Sequence, residues 1–196
     1  MPEAAVEPGG WEKALMAAEK VKERLTRATR ALDTAGVRYA VANGHAVAEW
    51  VGRVDEDAVR TTRDVDLLVR RDDFAVARAA LEAAGFVYHH VLNVDTFVDG
   101  PQGKPSGGVH LLFAGENVRP HDEYSLPDLD ESERAVGFQV ITLEALVRMK
   151  LTAYRRKDQV YLLDLIGVGL VDATWPARLP PPLGDRLQQL LDNPDG

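Results

Sequence analysis

Residues 64–69 read Asp-Val-Asp-Leu-Leu-Val, and this short run constrains the fold more than any other. Side chains alternate across a β-strand, so Asp64 and Asp66 share one face while Val65, Leu67 and Val69 point to the other. Residues two apart lie roughly 6.5–7 Å apart at the backbone, near enough for their carboxylates to converge. Converging carboxylates repel each other unless a cation neutralises them. Hard oxygen donors suit Mg²⁺, which commonly takes one or two carboxylates together with substrate phosphates. Taken alone, an Asp-x-Asp pair equally describes two solvated aspartates at a strand edge.

The surrounding pattern supplies the context. Residues 1–10, rich in Pro, Gly and Ala, read as disordered. From Trp11 the apolar positions Leu15, Ala18, Val21, Leu25, Ala28 and Leu32 recur every three or four residues, which predicts one long amphipathic helix stopped near Gly36. Val37–Ala42 reads as a buried strand, Gly44 follows it, and Ala46–Val51 opens a helix. Residues 52–60 are a polar connection to the Asp64–Val69 strand. Asp72 is placed to cap the next helix, whose face carries Phe74, Ala77, Leu81 and Ala84 and which Gly85 ends. Residues 86–92, 96–98 and 109–113 are strand-like, with a Gly- and Pro-dense loop at 100–108. Residues 117–137 are polar and read as surface chain, followed by a short strand at 138–141. Helices are expected at 143–154, 158–166 and 183–191. The order α-β-α-β-α-β-β-β, then helices, gives an α/β (α+β) fold: a mixed central sheet flanked by helices. Residues 11–142 form the core with its leading helix, and residues 143–196 a C-terminal helical extension packed on it.

Composition narrows the chemistry. The 196 residues contain no cysteine, so disulfides, thiolate catalysis and thiolate metal sites are excluded. The formal net charge of -8 argues against strong nonspecific nucleic-acid binding. Two basic clusters, Arg60/Arg63/Arg70/Arg71 and Arg148/Lys150/Arg155/Arg156/Lys157, leave room for a local anion site, although each also reads as a solvated face. No apolar stretch reaches the ~18 residues of a membrane span. The start of the chain lacks a basic segment followed by an apolar run, so no signal peptide is expected and the cytoplasm is the expected location.

Strand, Asn43-Gly44 and helix, followed by a strand opening with Asp-x-Asp, would assemble a phosphate cradle beside a metal platform. Glycine lets a backbone approach a phosphate closely, and a helix N-terminus offers unpaired N–H groups to an anion. On VANGHAV, RTTRDVDLLV, VHLLFAGE and LEALVRMKLTAYRRKDQVYLLDLI, the chain resembles the nucleotidyltransferase superfamily of DNA polymerase beta and the aminoglycoside nucleotidyltransferases. Its likeness is closer to the bacterial abortive-infection-type members, some of which are toxins. The matching pieces span residues 37 to about 170. The resemblance implies that Asn43 and Gly44 meet the nucleotide phosphates and that Asp64 and Asp66 bind metal. It also implies that Lys150, Lys157 and Asp158 complete the site. The implied reaction moves a nucleoside monophosphate from a nucleoside triphosphate to an acceptor hydroxyl, with Mg²⁺ or Mn²⁺ stabilising the attacking and leaving oxygens. The acceptor is a small molecule, a protein side chain or an RNA end.

Two departures from the family pattern stand out. Residues 52–60 look like an insertion between Gly44 and Asp64. The third acidic position, on the later strand, is occupied by His110. A histidine there serves as general base or metal ligand, marks an altered or lost activity, or is a half-buried residue satisfied by hydrogen bonds. Asp95, Asp99 and Glu116 lie near the flanking strands as alternative sources of charge. Lys150 reads either as a triphosphate partner or as a helix-surface lysine that snorkels. Arg60 and Thr62 position the aspartates or a phosphate, or simply begin the strand, and Asp158 doubles as a helix N-cap. His89 and His90, adjacent on a strand, face opposite sides and cannot chelate together. His45, beside Gly44, reads as a nucleotide contact or, in preference, as part of the helix start, and Trp11, Trp50 and Trp175 as core or docking residues. No nucleophile elbow or Walker loop is present. Three functional readings follow: a metal-dependent nucleotidyltransferase; a catalytically degenerate member that binds a nucleotide or protein partner; and the toxin of a toxin–antitoxin pair, with an antitoxin as partner.

Overall fold

The alternation in the Asp64–Val69 run is resolved by two helical layers on opposite sides of one strand. The computed structural model describes residues 9–91 and 93–194. The expectation of disorder over residues 1–8, and the strand end at Leu92, lie outside them. Strand β2 (Val65–Val69) is buried along its whole length. Val65, Leu67 and Val69 pack into one apolar cluster, and Leu68 into the other.

The first layer is built by α1 (Gly10–Thr34) and α3 (Phe74–Ala83). Leu25, Ala28 and Leu32 of α1 and Ala77 and Leu81 of α3 cover the sheet. The first half of α1 does not follow the expectation. Its buried residues begin at Val21, and Trp11 is 75% exposed and Leu15 54% exposed. The 3.6-residue apolar period is real there, but its side chains are left largely exposed. Helix formation also starts at Gly10, inside the segment expected to be disordered. Gly36 and Gly85 adopt positive φ after α1 and α3, as turns ending these helices require. Asp72 does not cap α3: it lies in a single 3-10 turn, Arg71–Asp73, and no side chain caps the helix that follows.

The second layer is built by α2 (Asn43–Gly52), α4 (Leu143–Ala153), α5 (Arg156–Gly167) and α6 (Pro181–Asp192). Val47, Val51, Leu146, Leu151, Leu162, Leu165, Leu183 and Leu187 interlock there with Trp175. Pro181 at the first turn of α6 fits because the N–H it lacks has no partner in that turn. Trp50 is half-buried and donates its indole N–H to the Ile141 carbonyl at 3.0 Å.

The remaining strands are β1 (Tyr39–Ala42), β3 (Phe86–Val91), β4 (Val94–Asp99), β5 (Val109–Phe113), β6 (Ser132–Arg134) and β7 (Gln139–Ile141). They form a seven-stranded mixed sheet in the order β3-β4-β5-β2-β1-β7-β6. β1 runs antiparallel to β2, whereas β5 runs parallel to it, so the starts of β2 and β5 and the end of β1 lie side by side at the same end of these central strands. β6 was not expected. It lies in the polar stretch 117–137, where Leu126 and Leu129 are nonetheless buried against the second layer.

Tyr39, buried in the first layer, donates its hydroxyl to Asp33 at 3.2 Å. Burial, reinforced by the Asp33 charge, pushes its phenol up to about 12. A raised folded-state value means the contribution is fully present below the ordinary tyrosine range near ~10 and is lost as pH rises towards 12. Urea unfolding between pH 9 and 12 should therefore show a steeper alkaline loss of stability in the wild type than in Tyr39→Phe. Parallel curves would assign the alkaline loss to other groups.

Candidate functional site

The β2/β5 register sets the geometry: Asp66 lies opposite His110. Asp64 immediately precedes β2, and ligand atoms of Asp64, Asp66 and His110 all lie within 4.8 Å of one another. His110 Nδ1 is 3.1 Å from Asp66 Oδ1, and its Nε2 is 3.0 Å from the Pro105 carbonyl oxygen. The hydrogen bond to Asp66 holds the imidazole above its ordinary range, against the opposing pull of burial. Thr62 donates its hydroxyl to Asp64 Oδ1 at 2.8 Å, and Lys157 Nζ stands 3.8 Å from the same oxygen. Burial pushes the Asp64 carboxyl up, but the Thr62 hydrogen bond and the Lys157 charge outweigh it and the net shift is downward.

A second polar group lies at the end of β1. Asn43 begins α2 with φ 53°, a left-handed conformation that asparagine tolerates better than most residues. Its Oδ1 accepts a hydrogen bond from Lys150 Nζ at 2.7 Å, and Lys150 also pairs with Asp158 at 3.1 Å. Both Lys150 and Asp158 are almost wholly buried, which rules out the surface, snorkelling reading of Lys150. Asp158 is not the N-cap of α5. It occupies the third helical position and accepts from the backbone N–H and Nε of Arg155, at 3.2 and 2.7 Å. Burial would raise the Asp158 carboxyl, but Arg155 and Lys150 hold it below its ordinary range.

Gly44 has a packing reason as well as its place at a helix start. A Cβ there would meet the Thr62 hydroxyl and the Tyr161 hydroxyl at 2.8 Å each. The missing side chain thus lets Thr62 reach the position from which it holds Asp64.

A cleft of about 250 Å³ opens over these groups, lined by Asn43, Asp64, Asp66, His110, Lys150 and Lys157 among others. Its far wall was missed by sequence reasoning. Arg119, Asp122 and Tyr124 stand there, on a loop closed at its neck by Gly115 N–H to Leu126 O (3.2 Å) and Leu126 N–H to Glu116 O (2.9 Å). The one signal for that loop was Gly115 at one end and the apolar anchor Leu126 at the other. A larger groove of about 750 Å³ lies between α1 and α3. We place the site at the smaller cleft because the metal-capable donors converge there.

Other candidates lie elsewhere. Arg60 is not brought to the cleft: its Nε donates to Asp164 of α5 at 2.8 Å. Asp95 is taken up by the Tyr88 hydroxyl and His90, Asp99 by Arg24 and Arg27, and Glu116 by Arg71. None of the three supplies the third carboxylate. Arg70 and Arg148 likewise pair with Asp128 and Glu131.

A family described as uncharacterised nucleotidyltransferase matches residues 10–145. The chain belongs to this nucleotidyltransferase family. Its fold is shared with a nucleotidyltransferase-like antigenic protein of Paracoccidioides brasiliensis at 19% identity and a TM-score of 0.59, covering 91% of each chain. It is shared also with ANT(2'')-Ia in complex with adenylyl-2''-tobramycin, at 14% identity and a TM-score of 0.55, over 87% of this chain and 98% of the other. The solution structure of ANT(2'')-Ia, an antibiotic-resistance factor, gives 13% identity and a TM-score of 0.54 over 90% and 91%. No curated protein matches the sequence. Among the described residues, no helix is long and apolar enough to cross a membrane.

The Lys150–Asp158 pair gives a direct test of the site's framework. Removing one member of a buried ion pair leaves the other charge uncompensated, which typically costs about 3–5 kcal/mol. Lys150→Met should lower unfolding stability by about that amount, and Lys150→Met/Asp158→Asn should recover part of it. A loss below about 1 kcal/mol in urea titrations would show that the pair does not act as a buried charge pair.

Proposed function

We propose that this protein transfers a nucleoside monophosphate from a nucleoside triphosphate to an acceptor hydroxyl. The observation that carries the reading is the convergence of Asp64, Asp66 and His110 donor atoms at the floor of a cleft with Lys157 beside it. Membership of a nucleotidyltransferase family supports it. The donor set fits a divalent cation: two carboxylates on one side, one at the entry of β2 and fixed by Thr62 and one within the strand, leave room for substrate phosphates as further ligands. Mg²⁺ and Mn²⁺ are the candidates. When bound, such an ion supplies Lewis-acid polarisation of phosphate oxygens.

The chain's own residues then have distinct tasks. Asp64 and Asp66 hold the cation. Lys157, with its ammonium in the open cleft, contributes positive charge to the triphosphate. Lys150 and Asp158 act from beneath, fixing Asn43 and through it the end of β1 and the start of α2. The acceptor oxygen bonds to the α-phosphorus, and the bond from that phosphorus to the β-bridging oxygen breaks. Pyrophosphate leaves with the electron pair, and the hydroxyl proton passes to water. The acceptor is a small molecule, a protein side chain or an RNA end; the adenylylated tobramycin held by ANT(2'')-Ia favours the first class by analogy of fold. A cytoplasmic setting and a toxin role with an antitoxin partner are extensions of this reading.

A second reading, a nucleotide-binding relic without transfer activity, is favoured by His110 in the position where the family places a third carboxylate. Thermal unfolding with each nucleoside triphosphate, with and without Mg²⁺ or Mn²⁺, tests binding first. At ~100 times its Kd, a ligand of the folded state adds about 2.7 kcal/mol of stability. The expected result is a metal-dependent rise in Tm for the wild type that disappears in Asp64→Asn/Asp66→Asn. Absence of any shift with all triphosphates would remove the catalytic reading. A shift without pyrophosphate release would support the relic.

A further inference from the structure

The donors that could hold a metal ion in the cleft, Asp64, Asp66 and His110, differ in kind from a pair or trio of carboxylates. His110 stands in register with Asp66 on the adjoining parallel strand, and its Nδ1 lies 3.1 Å from Asp66 Oδ1. Its other nitrogen is occupied: Nε2 faces the Pro105 carbonyl oxygen at 3.0 Å, which can only accept. Nε2 therefore carries hydrogen and donates. That arrangement, a backbone carbonyl taking the N–H of one ring nitrogen, is how proteins orient an imidazole so that the second nitrogen meets a metal. The loop that supplies Pro105 is itself fixed, because Pro105–Gly107 form a 3-10 turn and Gly108 packs so tightly that a Cβ would lie 2.8 Å from the Phe97 carbonyl oxygen. With one nitrogen committed to Pro105 and the other donating to Asp66, His110 has no lone pair turned towards an acceptor hydroxyl; a cation entering beside Asp66 would displace the Nδ1 proton to solvent and take the lone pair it leaves.

We propose that His110 is the third protein ligand of the cleft's cation, and that the Asp64–Asp66–His110 set selects a first-row transition ion such as Mn²⁺ over Mg²⁺. The inference rests on the nucleotidyltransferase reading above and deepens it. The physical reason has two parts. Mg²⁺ favours all-oxygen, near-octahedral surroundings, whereas imidazole is a good donor to transition ions. A histidine in place of a third carboxylate also removes one negative charge, and Mg²⁺ binding depends more heavily on charge than on donor softness. The same substitution that weakens the site for Mg²⁺ therefore leaves it competent for an ion that accepts nitrogen.

The test uses the whole chain with Mn²⁺ alone as probe. Electron spin-echo modulation of bound Mn²⁺ should show coupling to a directly ligated ¹⁴N in the wild type and none in His110→Asp. Mn²⁺ affinity, read from the signal of the free ion, should fall about tenfold or more in His110→Ala, since even the loss of an outer partner of a metal ligand costs 10–100-fold. Mg²⁺ should displace Mn²⁺ from His110→Asp at a much smaller excess than from the wild type. Bound Mn²⁺ without ¹⁴N coupling in the wild type would overturn the inference while leaving the carboxylate site intact, and that measurement needs no variant to fold. An unchanged Mn²⁺-to-Mg²⁺ preference in a folded His110→Asp would also overturn it. Failure of the wild type to bind Mn²⁺, or binding unaffected by Asp64→Asn/Asp66→Asn, would instead bring down the nucleotidyltransferase site itself.

Discussion

Two carboxylates at the start of a buried strand are an electrostatic liability, and much of the surrounding structure answers it. Asp66 is largely withdrawn from water, and Asp64, two residues earlier, stands on the same side. Bringing like charges together in a low-dielectric setting is unfavourable without compensation. The compensation is local and graded. A neutral donor, Thr62, fixes Asp64; a partly exposed cation, Lys157, stands near it; and a titratable ring, His110, bridges Asp66 to the backbone at Pro105. The same arrangement brings two carboxylates and an imidazole within 4.8 Å of one another, a donor set that could hold a metal ion.

Beneath it, the Lys150–Asp158 pair performs a different service. A buried pair contributes little net stability compared with well-packed apolar residues, so its presence calls for another reason. Here Lys150 reaches both Asp158 on α5 and Asn43 at the start of α2, so one ammonium ties α4, α5 and the end of β1 together. Asn43 sits in a left-handed conformation that costs energy in most residues, and this hydrogen bond is what holds its side chain. The close approach of Thr62 and Tyr161 to Gly44 tightens the same corner. The C-terminal helices thus contribute the framework of the site as well as the apolar cover of the sheet.

Much of this was legible from residue order, for physical reasons that also explain the failures. The alternation Val65, Leu67, Val69 against Asp64 and Asp66 was readable because a strand offers only two faces, and the structure divides these residues as the pattern requires. The long period of α1 was readable too, but periodicity reports a helix and not what covers it; Trp11 and Leu15 keep the pattern and are left exposed. Lys150 could not be resolved, since a lysine on an amphipathic helix looks the same whether it snorkels or meets an aspartate eight residues away. Arg60 looked like a phosphate ligand because it lies four residues before Asp64, yet its chain turns to Asp164. β6 and the Gly115–Leu126 loop were hidden in polar sequence, where apolar anchors are single residues without a period. The His110–Pro105 contact depends on loop geometry that no spacing encodes.

The central claim is that Asp64 and Asp66 hold a divalent ion with a nucleotide's phosphates in the cleft above them. A crystal grown with Mn²⁺ and a non-hydrolysable nucleoside triphosphate, measured for anomalous scattering at the manganese edge, addresses it most directly. The account predicts an anomalous peak coordinated by both carboxylates, with the triphosphate running towards Lys157. A triphosphate in the groove between α1 and α3, or manganese bound away from Asp64 and Asp66, would contradict it.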